Sequence, residues 1–462
     1  MSANNNKRQT NEGLRLFTPI LMVGVLCLGA CNNNDDNDVV VTGGTTLSFL
    51  IKDDRKSDQP LAGVTVALYE IDNATIAETK LSDVNGIVNF GDVGRERVTI
   101  AVAHESEVAI ATTSYTQRVI NSYIDVQAAD NITLYVQEPR EDIEMGLINI
   151  TFDLTQVPAG VMPVDILPLS VTDWSLYVTG PGVLEGILVY NHQIQDDGTL
   201  SLLVLGTDGI TTNLAKWDML IDQAFVDGAT YTMGLTQDPI PLNWTTSPTT
   251  DLSSISIVGV RKGVVYDLED EIVLDPPVSS GSIPFPMDFP LDKYWIYGEA
   301  DISAQSYVNS TTSYTTLPLN IEVPLPDYRF DSVAYDTVTR TLSWTLSGTT
   351  SRDTIGMFLY GEVDPATSIK TEWNVVMAPD RTSWRVMELP APADSWIDLT
   401  SLATNFVSAA LEAKDFDVFT GYDEVWNHLS SGGDPYAAAG IVLEGGYDFI
   451  TTITQFKDAM TE

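Results

Sequence analysis

The run Val64-Thr65-Val66-Ala67-Leu68-Tyr69, followed by Ser82-Asp83-Val84-Asn85-Gly86-Ile87-Val88-Asn89-Phe90, decides the fold class. The first run alternates with period two and is rich in β-branched residues, as in a half-buried strand. In the second, Asp83 to Gly86 has the composition of a tight turn, because Asn and Gly tolerate the backbone angles that turns require. The two runs predict strands in an antiparallel sheet.

The same pattern continues on both sides of these runs, and residues 45–138 are predicted to form a complete antiparallel β-sandwich that folds by itself. Its further strands are expected at Leu47–Ile51, Val98–Val102, Ile120–Val126 and Ile132–Val136. Pro60-Leu61-Ala62-Gly63-Val64, the Ser82–Gly86 turn and Phe90-Gly91-Asp92-Val93 resemble carboxypeptidase-regulatory-like domains. That resemblance implies a transthyretin-like sandwich that serves as a non-catalytic spacer or interaction module.

Residues 146–323 form a second predicted domain, mostly β. One segment departs from period two, since the apolar residues of 213–228 fall on one helical face: Leu214, Trp217, Leu220, Ile221, Ala224 and Phe225. With Asn213 as N-cap and Gly228 beyond the end, this segment is predicted to be a helix. The prolines of 276–286 predict an irregular connection.

Residues 327–462 form the third predicted domain. Leu342-Ser343-Trp344 resembles the inner strand of fibronectin type III-like sandwiches, and further strand-like runs follow it. In the tail, Val407–Leu411 is compatible with strand or helix. The predicted fold class is therefore mainly β, with tandem antiparallel β-sandwich domains and at least one short helix in the middle domain.

The first thirty residues have the plan of a secretory signal. Lys7, Arg8 and Arg15 precede an apolar run of about 13–15 residues, which is shorter than the roughly 20 needed to span a bilayer. Leu28-Gly29-Ala30-Cys31 then resembles the lipobox of bacterial lipoproteins, which implies a diacylglyceryl thioether on Cys31, cleavage before that residue and acylation of its new amine with a palmitate-type chain.

A lipidated Cys31 would anchor the mature chain to a membrane, and residues 31–44 would form a polar tether. Because Cys27 lies within the signal, the mature chain would have no disulfide. Asn32 follows the cysteine where an Asp favours inner-membrane retention in enteric lipoproteins, so an outer-membrane lipoprotein is expected by analogy. Whether it would face the periplasm or the outside stays open.

Composition excludes several function classes. The 462 residues carry a formal charge of −41, which opposes binding to nucleic acid. Neither a Ser/His/Asp nucleophile system nor a glycine-rich phosphate loop is recognisable, so no catalytic residue is assigned. His104 and Glu107 fit the His-x-x-Glu zinc pair formally, but two ligands are too few for a catalytic site.

Two candidate sites remain. Asp267, Glu269, Asp270, Glu271 and Asp275 form the densest acidic run, which is either a Ca²⁺ site or a solvated acidic face. Tyr294, Trp295 and Tyr297, beside the prolines, are the candidates for an exposed ligand-binding patch, whereas Trp344, Trp373 and Trp384 are expected in the core.

These observations favour a membrane-tethered binding or structural module for glycan or envelope-protein ligands, without a cofactor unless Ca²⁺ is bound. The alternative is a carboxylate-dependent hydrolase acting on polysaccharide, because such chemistry needs only two suitably spaced Asp or Glu residues. Ligand identity and oligomeric state stay open at this point.

Overall fold

The computed structural model describes residues 45–53, 59–110, 113–136, 143–153, 155, 161–169, 183–207, 214–349, 351–361, 363, 367–400, 402–430, 449–456 and 460. The predicted signal, the tether and Cys31 lie outside this part of the chain. Within it, strands predominate, which confirms the mainly β class. Among the described residues, no helix is long and apolar enough to cross a membrane.

The strands of residues 45–138 are β1 Thr46–Asp53, β2 Thr65–Tyr69, β3 Ile76–Leu81, β4 Ile87–Asp92, β5 Arg97–Ile110, β6 Thr113–Gln127 and β7 Ile132–Val136. Residues 144–324 contribute β8 Glu144–Phe152, β9 Met162–Leu167, β10 Val183–Tyr190, β11 Thr199–Thr207, β12 Leu214–Ala224, β13 Thr230–Met233, β14 Ile240–Ser247, β15 Leu252–Arg261, β16 Val264–Val278, β17 Ser280–Phe285, β18 Lys293–Asp301, β19 Ser306–Tyr314 and β20 Asn320–Pro324.

The remaining strands are β21 Arg329–Asp336, β22 Thr341–Ser347, β23 Thr354–Tyr360, β24 Ile369–Met377, β25 Ser383–Arg385, β26 Ser408–Phe416 and β27 Phe449–Gln455. The described helices are α1 Leu402–Asn405 and α2 Tyr422–Ser430, with short 3₁₀ turns at Asn191–Gln193 and Ala393–Ser395.

Twelve strands form one sheet, in the order β16-β15-β18-β19-β27-β26-β23-β24-β6-β5-β2-β3. Strands from all three predicted domains take part in it. β24 runs parallel to β6, from Ile369 beside Thr116 to Val376 beside Tyr123. The last strand, β27, lies between β19 and β26 and is antiparallel to both. The sheet therefore connects segments that are far apart in sequence.

Smaller sheets of three strands cover parts of this large sheet. The sheet β4-β1-β7 and helix α2 pack on one face, where Tyr123 and Phe416 contribute to the same core as Trp426. The sheet β21-β22-β25 packs on the opposite face, where Trp344 and Trp384 share a core with Trp373. These three tryptophans are buried, as the sequence predicts.

The sheets β10-β8-β13 and β12-β11-β9 form a further sandwich within residues 144–233. β11 is buried on both faces, because Leu202 and Val204 pack inside this sandwich while Leu203 and Leu205 pack against the neighbouring core. This strand therefore joins the small sandwich to the rest of the protein.

The helix predicted over residues 213–228 is wrong, because residues 214–224 form strand β12, paired with β11. Leu214 lies opposite Thr207 and Trp217 opposite Leu205, so four residues of β12 match three of β11. This β-bulge brings residues three apart onto one face, which imitates helical spacing. The two described helices lie in the C-terminal segment instead.

Two other local expectations change. Pro276 and Pro277 lie inside β16, and Ile283 to Phe285 belong to β17, where an irregular connection was predicted. β16 is an edge strand, whose outer side needs no backbone donor, and proline is tolerated there. The ambiguous residues 408–411 are in a strand, β26.

Candidate functional site

The central strands of the twelve-stranded sheet have polar side chains on one face, and we call this set the polar strip. Its members come from β6, β18, β19, β24, β26 and β27: Gln117, Asn121, Glu299, Tyr307, Asn309, Lys370, Glu372, Asn374, Glu412, Lys414 and Gln455. Their positions within each strand differ by even numbers, so they share a face.

The strip is continuous because the strands from β18 to β6 pair without a register shift. Asn309 lies opposite Thr451, which lies opposite Lys414. Asn374 lies beside Asn121 in the parallel pair of β24 and β6. A one-residue slip in any strand would turn its polar side chains into the apolar core.

One charged pair of the strip lies on β26. The Lys414 Nζ is 2.9 Å from Glu412 Oε1, and the two side chains are only 4% and 10% exposed. Thr451 donates a hydrogen bond of 3.2 Å from its Oγ1 to the same carboxylate oxygen. The Lys414 ammonium also lies 5.7 Å from the centre of the Phe416 ring. The contacts with Thr451 and Phe416 fix the positions of both charged side chains.

A second charged pair lies on β24. The Lys370 Nζ is 2.6 Å from Glu372 Oε1, and Gln117 donates from Nε2 to Glu372 Oε2 at 3.3 Å. Burial opposes the charged form of Lys370, but Glu372 outweighs burial, so the pKa of Lys370 lies above its ordinary value. Lys370 also lies 4.6 Å from the centre of the Tyr360 ring.

Between these pairs and β18, the strip contains polar atoms without partners. The buried Oδ1 of Asn309 and Nε2 of Gln455 have no hydrogen-bond partner within the described part of the chain. Tyr307 lies between them on the strand face. Its burial, with the nearby carboxylates of Glu299 and Glu412, raises the pKa of the Tyr307 hydroxyl, which therefore stays protonated.

Buried polar groups in proteins are nearly always hydrogen-bonded, so each of these atoms needs a partner that the described part of the chain does not supply. The strip combines amide, carboxylate and ammonium groups with the half-buried rings of Tyr307, Phe358 and Tyr360. This set suits recognition of a ligand with many hydroxyl groups, which both donate and accept hydrogen bonds.

The structure does not place the predicted aromatic patch at a surface. Trp295 is 0% and Tyr294 6% exposed, and Tyr297 packs against the core shared with Trp295. β18 lies between β15 and β19 in the large sheet, and cores cover both of its faces there. The expectation of an exposed patch at Tyr294, Trp295 and Tyr297 is therefore corrected.

The acidic run lies on edge strand β16. Asp267 and Asp275 are exposed, on a strand that pairs only with β15 in the large sheet. Among the described residues, no group of three or more His, Cys, Asp or Glu side chains is arranged to hold a metal ion. Calcium binding by Asp267, Glu269, Asp270, Glu271 and Asp275 stays a prediction.

His104 and Glu107 lie on one regular strand, β5. His104 pairs with Val119 and Glu107 with Thr116, with no register shift between them. Residues three apart on such a strand point to opposite faces of the sheet, so these two side chains are not directed at a common ion.

Two neighbouring carboxylates lie at the end of β26. Burial, followed by the charge of Asp353, raises the pKa of Asp415 to about 6. Asp353 is itself buried, and its Oδ2 accepts a hydrogen bond of 2.9 Å from the Phe416 backbone N–H. Because Asp353 stabilises the start of the turn after β26, its first role is structural.

Sequence reasoning missed the polar strip. Its signal is present in short runs such as Glu372-Trp373-Asn374 and Glu412-Ala413-Lys414, where polar residues alternate with buried ones. The strands that carry these runs meet only in the folded sheet, and nothing in the sequence shows that they are neighbours.

Comparison with known proteins gives no family. No protein-family model and no curated protein matches the chain. Among solved structures, it is similar to the shaft pilin SpaA from Lactobacillus rhamnosus GG, crystallised as a double mutant, with TM-score 0.15 and 8% identity over 42% of this chain and 98% of the pilin. A streptococcal ancillary pilin gives TM-score 0.14 and 9% identity over 61% of this chain and 99% of that one. Similarities this low carry no information about function.

Proposed function

We propose that the protein is an envelope lipoprotein whose polar strip binds a polyhydroxylated ligand, such as a glycan. The observation that carries this proposal is the pair of buried, unpartnered amide atoms on Asn309 and Gln455, within a row of hydrogen-bonding side chains. A protein that only had to be stable would gain from filling these positions with apolar or paired groups.

Tethering rests on the sequence alone. The short apolar run and Leu28-Gly29-Ala30-Cys31 support lipid attachment at Cys31, with the outer membrane as the proposed location. Mass spectrometry of the native N-terminus tests this part. A chain that begins at acylated Cys31 is expected, and an intact Met1 with a free thiol at Cys31 would refute it.

Binding is tested with the chain from Asn32 to Glu462, which leaves out the predicted signal and the lipidated cysteine. Its retardation in gels that contain soluble polysaccharides, one at a time, measures affinity without a prior choice of ligand. We expect at least one polysaccharide to retard the protein. Asn309→Ala and Gln455→Ala should weaken that retardation by about tenfold each, which corresponds to roughly 1.4 kcal/mol.

Asn243→Ala is the matched control. Asn243 is exposed on β14 and forms a hydrogen bond of 3.1 Å with Asn320, away from the polar strip. Its loss should leave binding unchanged. The proposal fails if no polysaccharide is bound, or if the control and the strip variants weaken binding equally.

One observation favours the alternative of a carboxylate-dependent hydrolase, namely the adjacent Asp353 and Asp415 with raised pKa values. Such a pair resembles the acid and base of hydrolytic sites. If the pair is catalytic, new reducing ends should appear when polysaccharide is incubated with the protein, and Asp415→Asn should abolish them. Binding without product formation would leave recognition as the function.

A further inference from the structure

The two edges of the twelve-stranded sheet differ in how well they resist the addition of another strand. Edge strand β16 includes the acidic run, contains Pro276 and Pro277, and has three register shifts against β15. Charges, prolines and bulges are the features with which proteins protect an edge. The other edge is β3.

β3 is less protected, since its charged residues, Glu78 and Lys80, have opposite signs and its one register shift against β2 lies at its start, between Ile76 and Glu78. Its six residues, Ile76-Ala77-Glu78-Thr79-Lys80-Leu81, contain no proline, and its register with β2 is regular from Leu81 to Glu78. The Ser82 N–H donates a hydrogen bond to the Val64 carbonyl, and the Ser82 carbonyl accepts one from the Gly63 N–H. The backbone groups of Ser82 therefore point towards the strand that contains β2. By alternation, Thr79 and Leu81 direct their backbone groups away from β2, and both are exposed, whereas the register shift at Ala77 ends this alternation.

We infer that two copies of this chain pair antiparallel through β3, with Thr79 of each copy on the two-fold axis. Thr79 then forms a hydrogen-bonded pair with Thr79 of the second copy, and Leu81 lies opposite the bulged Ala77 of the second copy. Glu78 lies directly opposite Lys80 of the second copy, in the closer, non-hydrogen-bonded type of pair. The edge is therefore complementary to itself in charge as well as in backbone hydrogen bonding.

The charges around the axis strengthen this arrangement. Within one chain, the Lys80 Nζ already lies 3.0 Å from Glu78 Oε1. Pairing of two copies would bring together two Glu and two Lys side chains with alternating sign. The repulsion between two acidic chains is screened beyond about 8 Å at physiological ionic strength, whereas these contacts are much shorter.

Exposed apolar side chains lie near both ends of the same strand. Ile71, before β3, and Val84, after it, are each 84% exposed, and Leu81 is 62% exposed. Antiparallel pairing places the loop before β3 of one copy beside the turn after β3 of the other. Ile71 and Val84 would then cover each other, which accounts for their position.

The test is sedimentation equilibrium of the chain from Asn32 to Glu462 over a wide concentration range. A reversible dimer is expected. Lys80→Glu places like charges opposite each other and should weaken self-association by about tenfold or more. The exchange Glu78→Lys with Lys80→Glu restores opposite charges and should restore the dimer.

Thr79→Pro tests the backbone pairing independently of the charges. The Thr79 N–H points away from β2, so proline removes a donor that only a second copy uses. This variant should be monomeric with an unchanged circular dichroism spectrum. A wild-type chain that is monomeric at every concentration would overturn the proposal and leave the edge to another kind of partner. A dimer that Lys80→Glu leaves as strong as before, or that the charge exchange fails to restore, would overturn it as well.

Discussion

The two faces of the central strands β26, β23 and β24 have opposite characters, although both are formed by alternate residues of the same strands. On one face, Leu411, Met357 and Trp373 are fully buried in an apolar core. On the other, Glu412, Lys414 and Glu372 belong to the polar strip. The difference shows that one sheet can present an apolar face and a polar face through the period-two alternation of its strands.

The two faces should also contribute differently to the stability of the fold. Apolar burial contributes favourably to folding, whereas buried charges contribute little unless each has its partner. Changes on the apolar face should therefore affect stability directly. Changes on the polar face should affect stability mainly when they leave a partner unpaired.

The largest effect is expected on the apolar face. Trp373→Ala removes a ring that lies 5.4 Å from the Trp384 ring, and also the hydrogen bond of 3.0 Å from its Nε1 to Ser122 Oγ. The free energy of unfolding should fall by about 4 kcal/mol, as for other buried tryptophans. Chemical denaturation measures this loss. A change below about 1 kcal/mol would show that this face is not a tightly packed core.

The next effect concerns the buried pair on the polar face. Lys414→Met leaves the Glu412 carboxylate buried without its cation, and this should reduce the free energy of unfolding by about 3 kcal/mol. Adding Glu412→Gln to this variant should recover most of the loss, because the isolated charge is gone. If the double variant is no more stable than the single one, Lys414 stabilises the sheet by packing rather than by pairing.

A smaller effect should depend on pH. Since burial and Asp353 raise the pKa of Asp415 to about 6, the folded chain retains this proton between about pH 4 and 6, where the unfolded chain has lost it. The wild type therefore loses stability as pH rises through this window. Asp415→Asn should be more stable than wild type at pH 7, and the gap should close below about pH 4.

Asp336 provides a control of opposite sign. Hydrogen bonds from Thr339 and Val338 hold the pKa of Asp336 below its ordinary value. The ionised carboxylate therefore stabilises the fold at neutral pH, and this contribution is lost as the pH falls and the group becomes protonated. Asp336→Asn should therefore be less stable than wild type at pH 7. If the two Asn variants respond to pH in the same direction, the cause assigned to Asp415 is contradicted.

The smallest effect is expected for His104→Ala. Since His104 and Glu107 point to opposite faces of β5, removal of the imidazole should change neither zinc content nor binding of polysaccharide. Metal analysis of the purified wild type and variant checks this. Stoichiometric zinc that disappears in the variant would contradict the assignment.

Local patterns in the sequence predict much of the fold. Val64 to Tyr69 corresponds closely to β2, and Asp83 to Gly86 is the predicted turn before β4, closed by the hydrogen bond from the Gly86 N–H to the Asp83 carbonyl. These elements depend on alternation and turn chemistry within a few residues of each other. The sequence is informative wherever the structure is determined locally.

Features that depend on distant pairing could not be predicted in this way. The bulges of β12 imitate a helix because they shift Leu214 and Trp217 onto one face of a strand. The burial of Trp295 depends on its neighbours in the sheet, and the polar strip depends on the pairing of β24 with β6 across the whole chain. Such pairings are decided by tertiary contacts rather than by local pattern.

The most direct test of the central claim is oxidative footprinting of tyrosine side chains, with and without a polysaccharide that the protein binds. Tyr307 and Tyr360 lie on the polar face, whereas Tyr335 is a partly buried tyrosine on β21, packed against the core beneath the opposite face. If the polar strip is the binding surface, the ligand should reduce oxidation of Tyr307 and Tyr360 and leave that of Tyr335 unchanged. Protection of Tyr335 with no change at Tyr307 and Tyr360 would contradict the account.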